Sequence, residues 1–229
     1  MLLPELLEKV PKLEEYIRYM PEELKTRYTI RTFPPGYIIH QKHYSLNYFG
    51  IVCTGEHRVI NEFENGNIFM IEKNEPIDFI GEVTILAGQE KTSVTIETIT
   101  ECTVFLISRQ DFENWISQDI HFLRLVSKKV AQKLYRSSYN RGARLFYPPN
   151  FLLLDYLVKY AKEHTIAPGT LIVVKRTRTQ LFEELGITVK TINRTIQKLK
   201  EDGTIGIEKG KICLTYEQYI RAKRELKKE

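Results

Sequence analysis

Residues 177–200 hold two short segments of helical periodicity around one glycine, and few folds accommodate that arrangement. Thr177 is placed to cap a helix over 178–185, its hydroxyl accepting a free N–H of the first turn. Gly186 can take the left-handed backbone that ends it, and Thr188 is placed to cap a second helix over 189–200. Ile192, Ile196 and Leu199 share the face expected inside. Two short helices set at an angle by a glycine turn make a helix-turn-helix.

The opposite face of the second helix carries Val189, Lys190, Asn193, Arg194, Gln197 and Lys198. Arg and Lys donate to guanine acceptors or phosphates, Asn and Gln can bond adenine in pairs, and Val189 can meet a thymine methyl. Thr188 and Thr191 stand where hydroxyls and backbone N–H groups of a helix start favour phosphate, and Thr177 and Arg178, which open the first helix, are expected to contact DNA as well. Behind it, residues 205–214 predict a hairpin with Lys209 and Lys211 at its tip, a wing whose ammonium groups lie near a phosphate backbone. A solvated amphipathic helix would share the polar face but not the paired caps, the glycine turn and the basic wing.

Charge agrees with this placement. Residues 145–229 contain 16 Lys and Arg against 10 Asp and Glu, whereas residues 1–144 contain 18 against 19. The positive excess lies wholly in the part with the helix-turn-helix, as a polyanionic partner would require.

Upstream the pattern changes twice. Leu6, Val10, Leu13, Ile17 and Leu24 predict a helical segment over the first ~27 residues. From 28 to about 108, short β-branched and aromatic runs (28–33, 37–39, 48–53, 57–63, 68–72, 93–99 and 102–107) alternate with turn residues, and Asn65-Gly66 marks a hairpin. Many short strands at this spacing predict an antiparallel sandwich or barrel. A long helix follows. Leu123, Val126, Val130 and Leu134 form a narrow seam suited to a two-stranded coiled coil and a homodimer; the same stripe would serve a helix packed on its own barrel. Pro148-Pro149-Asn150 ends it, and 151–164 is a further helix.

No run approaches the ~20 apolar residues of a membrane span, and no basic-then-apolar leader opens the chain. A cytoplasmic location without membrane contact is expected. Cys53, Cys102 and Cys213 are scattered among apolar neighbours and expected to be small buried hydrophobes; no metal site is predicted. Catalysis is not expected: nucleophile elbow, phosphate-cradling loop and paired metal histidines are all missing, and His40, His43 and His57 receive no role, with His40 and His43 placed in a loop.

These motifs together resemble the catabolite-activator and fumarate-nitrate-regulator (Crp/Fnr) superfamily. The likeness rests on Thr177-Arg178-Thr179-Gln180-Leu181, Leu185-Gly186-Ile187-Thr188, Thr191-Ile192-Asn193-Arg194 and Lys198-Leu199. In the N-terminal part it rests on Pro35-Gly36, Gly55, Glu64-Asn65-Gly66 and above all Asp78-Phe79-Ile80-Gly81-Glu82. The implied class is α+β: an antiparallel β-roll like a cyclic-nucleotide-binding jelly roll, a long dimerisation helix, and a C-terminal winged helix-turn-helix. The expected domains are 1–118, 119–146 and 147–229. The resemblance implies a transcription regulator with an effector-sensing roll, a palindromic double-stranded operator and RNA polymerase as a partner. A regulatory ligand- or protein-binding module that does not recognise DNA is the alternative.

The effector pocket implied by the resemblance comprises Gly81, Glu82, Lys91, Thr92, Ser93, Ser137 and Ser138. In cyclic-AMP-binding members the Gly-Glu pair precedes, by about eleven residues, an Arg that forks onto the cyclic phosphate. Here Lys91-Thr92-Ser93 stands there, Ile77 replaces a usual glycine, and a lysine offers only a point charge. A cyclic nucleotide is therefore disfavoured, no cofactor is required, and the small-molecule effector is unidentified. The recognition helix begins Val189-Lys190 where well-studied members have Arg-Glu, so a different operator is expected.

Overall fold

The computed structural model describes residues 2–227, apart from the side chains of 139–141 and 143–145. The chain forms two compact units, 1–137 and 138–229.

The first unit is built on two four-stranded antiparallel sheets. One has the order β1 (Thr29–Phe33), β8 (Cys102–Ser108), β3 (Tyr48–Thr54), β6 (Asp78–Ile80); the other β2 (Ile38–His40), β7 (Thr95–Thr98), β4 (His57–Glu62), β5 (Ile68–Asn74). Alternation along the central strands makes two cores. Val52, Val104, Cys102 and Ile80 join Phe33 and Ile96 in one cluster. Phe49, Ile51, Phe105 and Ile107 point the other way, under the helices. The central strand β3 is accordingly buried along both faces.

The N-terminal residues are not one helix. They form α1 (Leu3–Lys9), a 3₁₀ turn at Pro11–Leu13, α2 (Glu14–Ile17) and a second 3₁₀ turn at Glu22–Thr26. Pro11 and Pro21 lack the N–H that would carry a helix through. The expected apolar positions Leu6, Leu13, Ile17 and Leu24 are nevertheless buried. His40, expected in a loop, lies in β2 and is buried, its Nδ1 3.2 Å from the Tyr48 hydroxyl.

β6 and α3 (Glu82–Leu86) are joined at Gly81, whose φ is +95°. A Cβ there would lie 2.9 Å from the Tyr48 carbonyl oxygen and from Leu46 Cδ2. Gly81→Ala therefore combines left-handed backbone with a backbone clash, and thermal unfolding should show a loss of more than about 1–2 kcal/mol.

Helices α4 (Arg109–Gln118) and α5 (Ile120–Phe146) complete the cover. Ser108 caps α4 through the Asp111 N–H. Phe122 and Val126 of α5 are fully buried, and Phe122 stacks on Trp115 at 3.8 Å. The seam expected at 123, 126, 130 and 134 needs one correction: Val126 faces the unit's own core. Leu123 and Val130 are half-buried, and Leu134 is 66% exposed. The outer stripe instead starts at Ile120, 82% exposed, and continues through Leu123, Ser127, Val130 and Leu134 at alternating three- and four-residue steps.

The second unit contains α6 (Pro149–Glu163), β9 (Leu171–Val173), α7 (Arg178–Leu185), α8 (Val189–Glu201), the hairpin β10 (Gly206–Glu208) and β11 (Lys211–Thr215), and α9 (Tyr216–Glu225). The sheet order is β10-β11-β9, all antiparallel. Leu153, Leu157, Leu181, Ile192, Ile196, Leu199 and Leu214 share its core. Among the described residues no helix is long and apolar enough to cross a membrane, and no group of three His, Cys, Asp or Glu could hold a metal ion.

Candidate nucleic-acid interface and roll site

Local chemistry sets the helix-turn-helix. The Thr177 side chain accepts from the Gln180 N–H while the Gln180 side chain accepts from the Thr177 N–H, a reciprocal cap at the start of α7. Gly186, at φ +70°, ends α7 and donates its N–H to the Phe182 carbonyl. The Thr188 hydroxyl accepts from the Thr191 N–H and lies 2.9 Å from the Thr191 hydroxyl, starting α8.

Burial of Ile192, Thr195, Ile196 and Leu199 fixes how α8 is rotated. Lys190, Asn193, Arg194, Gln197 and Lys198 are all exposed, and Val189 is 37% exposed. Helical geometry puts Lys190, Arg194 and Gln197 at the crest and Asn193 and Lys198 on opposite flanks. One side chain is already engaged. Gln197 Nε2 donates to Glu201 at 2.7 Å, leaving its carbonyl oxygen to accept. Lys198 lines a cleft with Asn150, Asp202, Arg221 and Glu225.

The wing turns at Lys209 and Gly210, both with positive φ, so the Lys209 and Lys211 side chains flank a tight tip. Both are exposed. Arg178 is half-buried and points its Nη2 at the Gly210 carbonyl, 3.5 Å away. It braces the wing against α7. Burial lowers its pKa from the usual arginine value. The sequence analysis does not anticipate α9, although Thr215 and Gln218 form the same reciprocal cap as Thr177 and Gln180.

The roll residues do not all converge. Gly81 and Glu82 begin α3, and Glu82 is 2% exposed. Lys91 and Ser93 are exposed, whereas Thr92 is buried with its hydroxyl donating to the Gln41 and Val94 carbonyls. Ser137 is half-buried and Ser138 exposed.

Glu82 belongs instead to a buried charge cluster. Lys133 Nζ lies 2.7 Å from Glu82 Oε1, 2.9 Å from Asp78 Oδ2 and 3.2 Å from the Phe79 carbonyl. His57, fully buried on β4, brings Nε2 within 3.4 Å of Asp78 Oδ2. Burial pushes both carboxyl pKa values up. At Asp78 the neighbouring His57 and the Lys133 ammonium outweigh burial and hold it below the usual range. At Glu82 burial prevails, helped by the Asp78 charge and only partly offset by Lys133. Burial would lower the Lys133 pKa, but Glu82 and Asp78 raise it overall. The partners of Lys133 lie more than fifty positions away in the sequence.

Glu82 is thus bonded to an ammonium and the Thr92 hydroxyl to main-chain carbonyls, and the lysine that stands where the resemblance would have a guanidinium is exposed.

Residues 30–119 match the family of cyclic nucleotide-binding domains. Over 180 residues, 78% of this chain and 85% of the relative, the sequence is 24% identical to the cAMP-activated global transcriptional regulator CRP of Salmonella typhimurium. The fold resembles that of the c-di-GMP-responsive global regulator CLP of Xanthomonas campestris, at TM-score 0.76 and 16% identity, covering 90% of this chain and 98% of CLP. It also resembles a Crp/Fnr-family regulator from Eubacterium rectale, at TM-score 0.75 and 14% identity, covering 92% and 96% of the two chains. The cyclic nucleotide-binding domain match, the CRP relative and the regulator folds it resembles together support a DNA-binding transcription regulator of the Crp/Fnr type.

Proposed function

We propose that the protein acts in the cytoplasm as a homodimer that reads a palindromic operator through α8 and answers to a small-molecule effector through its roll. The observation that carries this reading is the crest of α8. Lys190, Arg194 and Gln197 stand outward on a capped helix whose opposite face is locked into the core, with a basic wing in the same unit. Arg and Lys there supply donors for guanine edges and phosphates, and Asn193 can pair with adenine. Thr177, Thr188 and Thr191 add phosphate contacts at helix starts, and Lys198 reaches phosphate from its flank. Arg178 contributes by holding the wing tip. The named relatives are regulators rather than enzymes, which accords with a non-catalytic role, and RNA polymerase is the expected protein partner.

The dimer is assigned to the outer stripe of α5. Ile120 and Leu134 are large apolar side chains left in water by the single chain, and Leu123 and Val130 lie between them on the same line. Leu134→Glu is expected to give a folded monomer in sedimentation experiments and to weaken operator binding, since a lone unit contacts one half-site.

Selection from a random duplex library tests the whole reading. Enrichment of a two-fold symmetric sequence, with half-site centres about one helical turn (~34–36 Å) apart, is expected. Enrichment of no sequence under any ligand condition would favour a module that does not recognise DNA.

A further inference from the structure

The face of α5 turned to the roll carries cations as well as apolar side chains. Lys129, Lys133 and Arg136 follow Phe122 and Val126 along it, at helical spacing. Each reaches the roll. Lys129 Nζ donates to the Ile77 carbonyl and lies 4.0 Å from Asp78 Oδ1. Arg136 Nη2 is 3.7 Å from Glu72 Oε1 and 3.5 Å from Asn74 Oδ1. Lys133 is the centre of the set, with a side chain only 12% exposed.

Lys133 bridges the two carboxylates. Its Nζ donates to Glu82 Oε1 and to the Phe79 carbonyl, and forms an ion pair with Asp78 Oδ2 at 2.9 Å. Asp78 and Glu82 are each 2% exposed, so without Lys133 two carboxylates would share a site almost closed to water. Glu82 also belongs to the effector pocket that the resemblance implies.

We infer that Lys133 is the resident counter-ion of the Asp78 and Glu82 pair, filling from within the place a cyclic nucleotide would need and locking α5 onto the roll without ligand. This deepens the regulatory reading above and rests on it only for its consequence in DNA control; the latch itself lies within residues 1–137. A regulator with this latch is switched by whatever separates Lys133 from its carboxylates. A neutral or anionic nucleotide cannot replace the ammonium, because it would leave Glu82 without a counter-charge and Asp78 with only Lys129, 4.0 Å away.

The test uses the full chain and needs no DNA. Cyclic AMP and cyclic GMP, titrated to about 1 mM, are expected to leave the melting temperature of the unaltered protein unchanged, whereas a ligand at 100 times its Kd would raise it measurably. Backbone hydrogen exchange over residues 126–137 is expected to quicken at least tenfold in Lys133→Met, with exchange over residues 149–201 unchanged. Should Lys133→Met fail to fold, the neutral set Asp78→Asn/Glu82→Gln/Lys133→Met removes the stranded charge and should fold with the same quickened exchange. A saturable rise in melting temperature with either nucleotide would overturn the inference. So would unaltered exchange over 126–137 in a folded Lys133 variant. Neither result bears on operator selection, so failure of the latch and failure of the DNA-binding reading remain distinct.

Discussion

Replacing Lys190 and Arg194 together with alanine is expected to lower affinity for the selected operator by about two orders of magnitude, at about 1–3 kcal/mol for a well-made base contact. The unfolding temperature should hardly move, because both side chains are exposed and the buried face of α8 is untouched. Salt separates the contributions. A residue that contacts phosphate reduces the slope of log affinity against log salt by about one when removed. Lys209→Ala and Lys211→Ala, at the wing tip, should flatten that slope and weaken all sequences alike. Arg194→Ala should relax discrimination at one position of each half-site. Titrating the variants on operator and on scrambled duplex across several salt concentrations checks both.

The largest effect on stability is expected at Phe122. Its ring stacks on Trp115 at 3.8 Å and meets Phe49, Phe79 and Phe112 edge-on at 6.1–6.3 Å, all within one fully enclosed cluster. Truncation to alanine leaves a cavity among side chains from two strands and two helices that cannot all collapse into it. A loss of about 3–5 kcal/mol follows for a buried aromatic. Phe122 also joins α5 to the roll, so the variant should expose α4 and α5 to proteolysis before the winged helix. Denaturant unfolding with tryptophan fluorescence is a direct readout, since Trp115 is the only tryptophan.

The winged helix was legible in the sequence because its signals are local. Thr177, Gly186 and Thr188 each act within a few residues, and the caps and the left-handed glycine lie where spacing put them. The same signal at Thr215 and Gln218 went unread, and α9 with it. Long-range packing was harder. Asp78–Ile80 forms a strand buried throughout, so the alternation that marks a half-exposed strand never shows. Val126 shares the spacing of the expected seam yet is buried, and Lys129 and Lys133 turn to the same side. They face inward because Asp78, Glu82 and main-chain carbonyls of β6 and its approach satisfy their charges. No periodicity in α5 alone could show that. The N-terminal segment illustrates the reverse case: its apolar spacing was read correctly and its prolines were overlooked, so the burial holds but the single helix does not.

Guanine N7 marks the major-groove edge of a base pair, so methylation interference on the selected operator asks whether α8 lies in that groove. The proposed arrangement predicts that N7 methylation blocks binding at guanines in two symmetric clusters about one helical turn apart, and that Arg194→Ala abolishes the interference at one guanine of each. Full binding to N7-methylated duplex, with contacts confined to the minor groove or the phosphates, would contradict it.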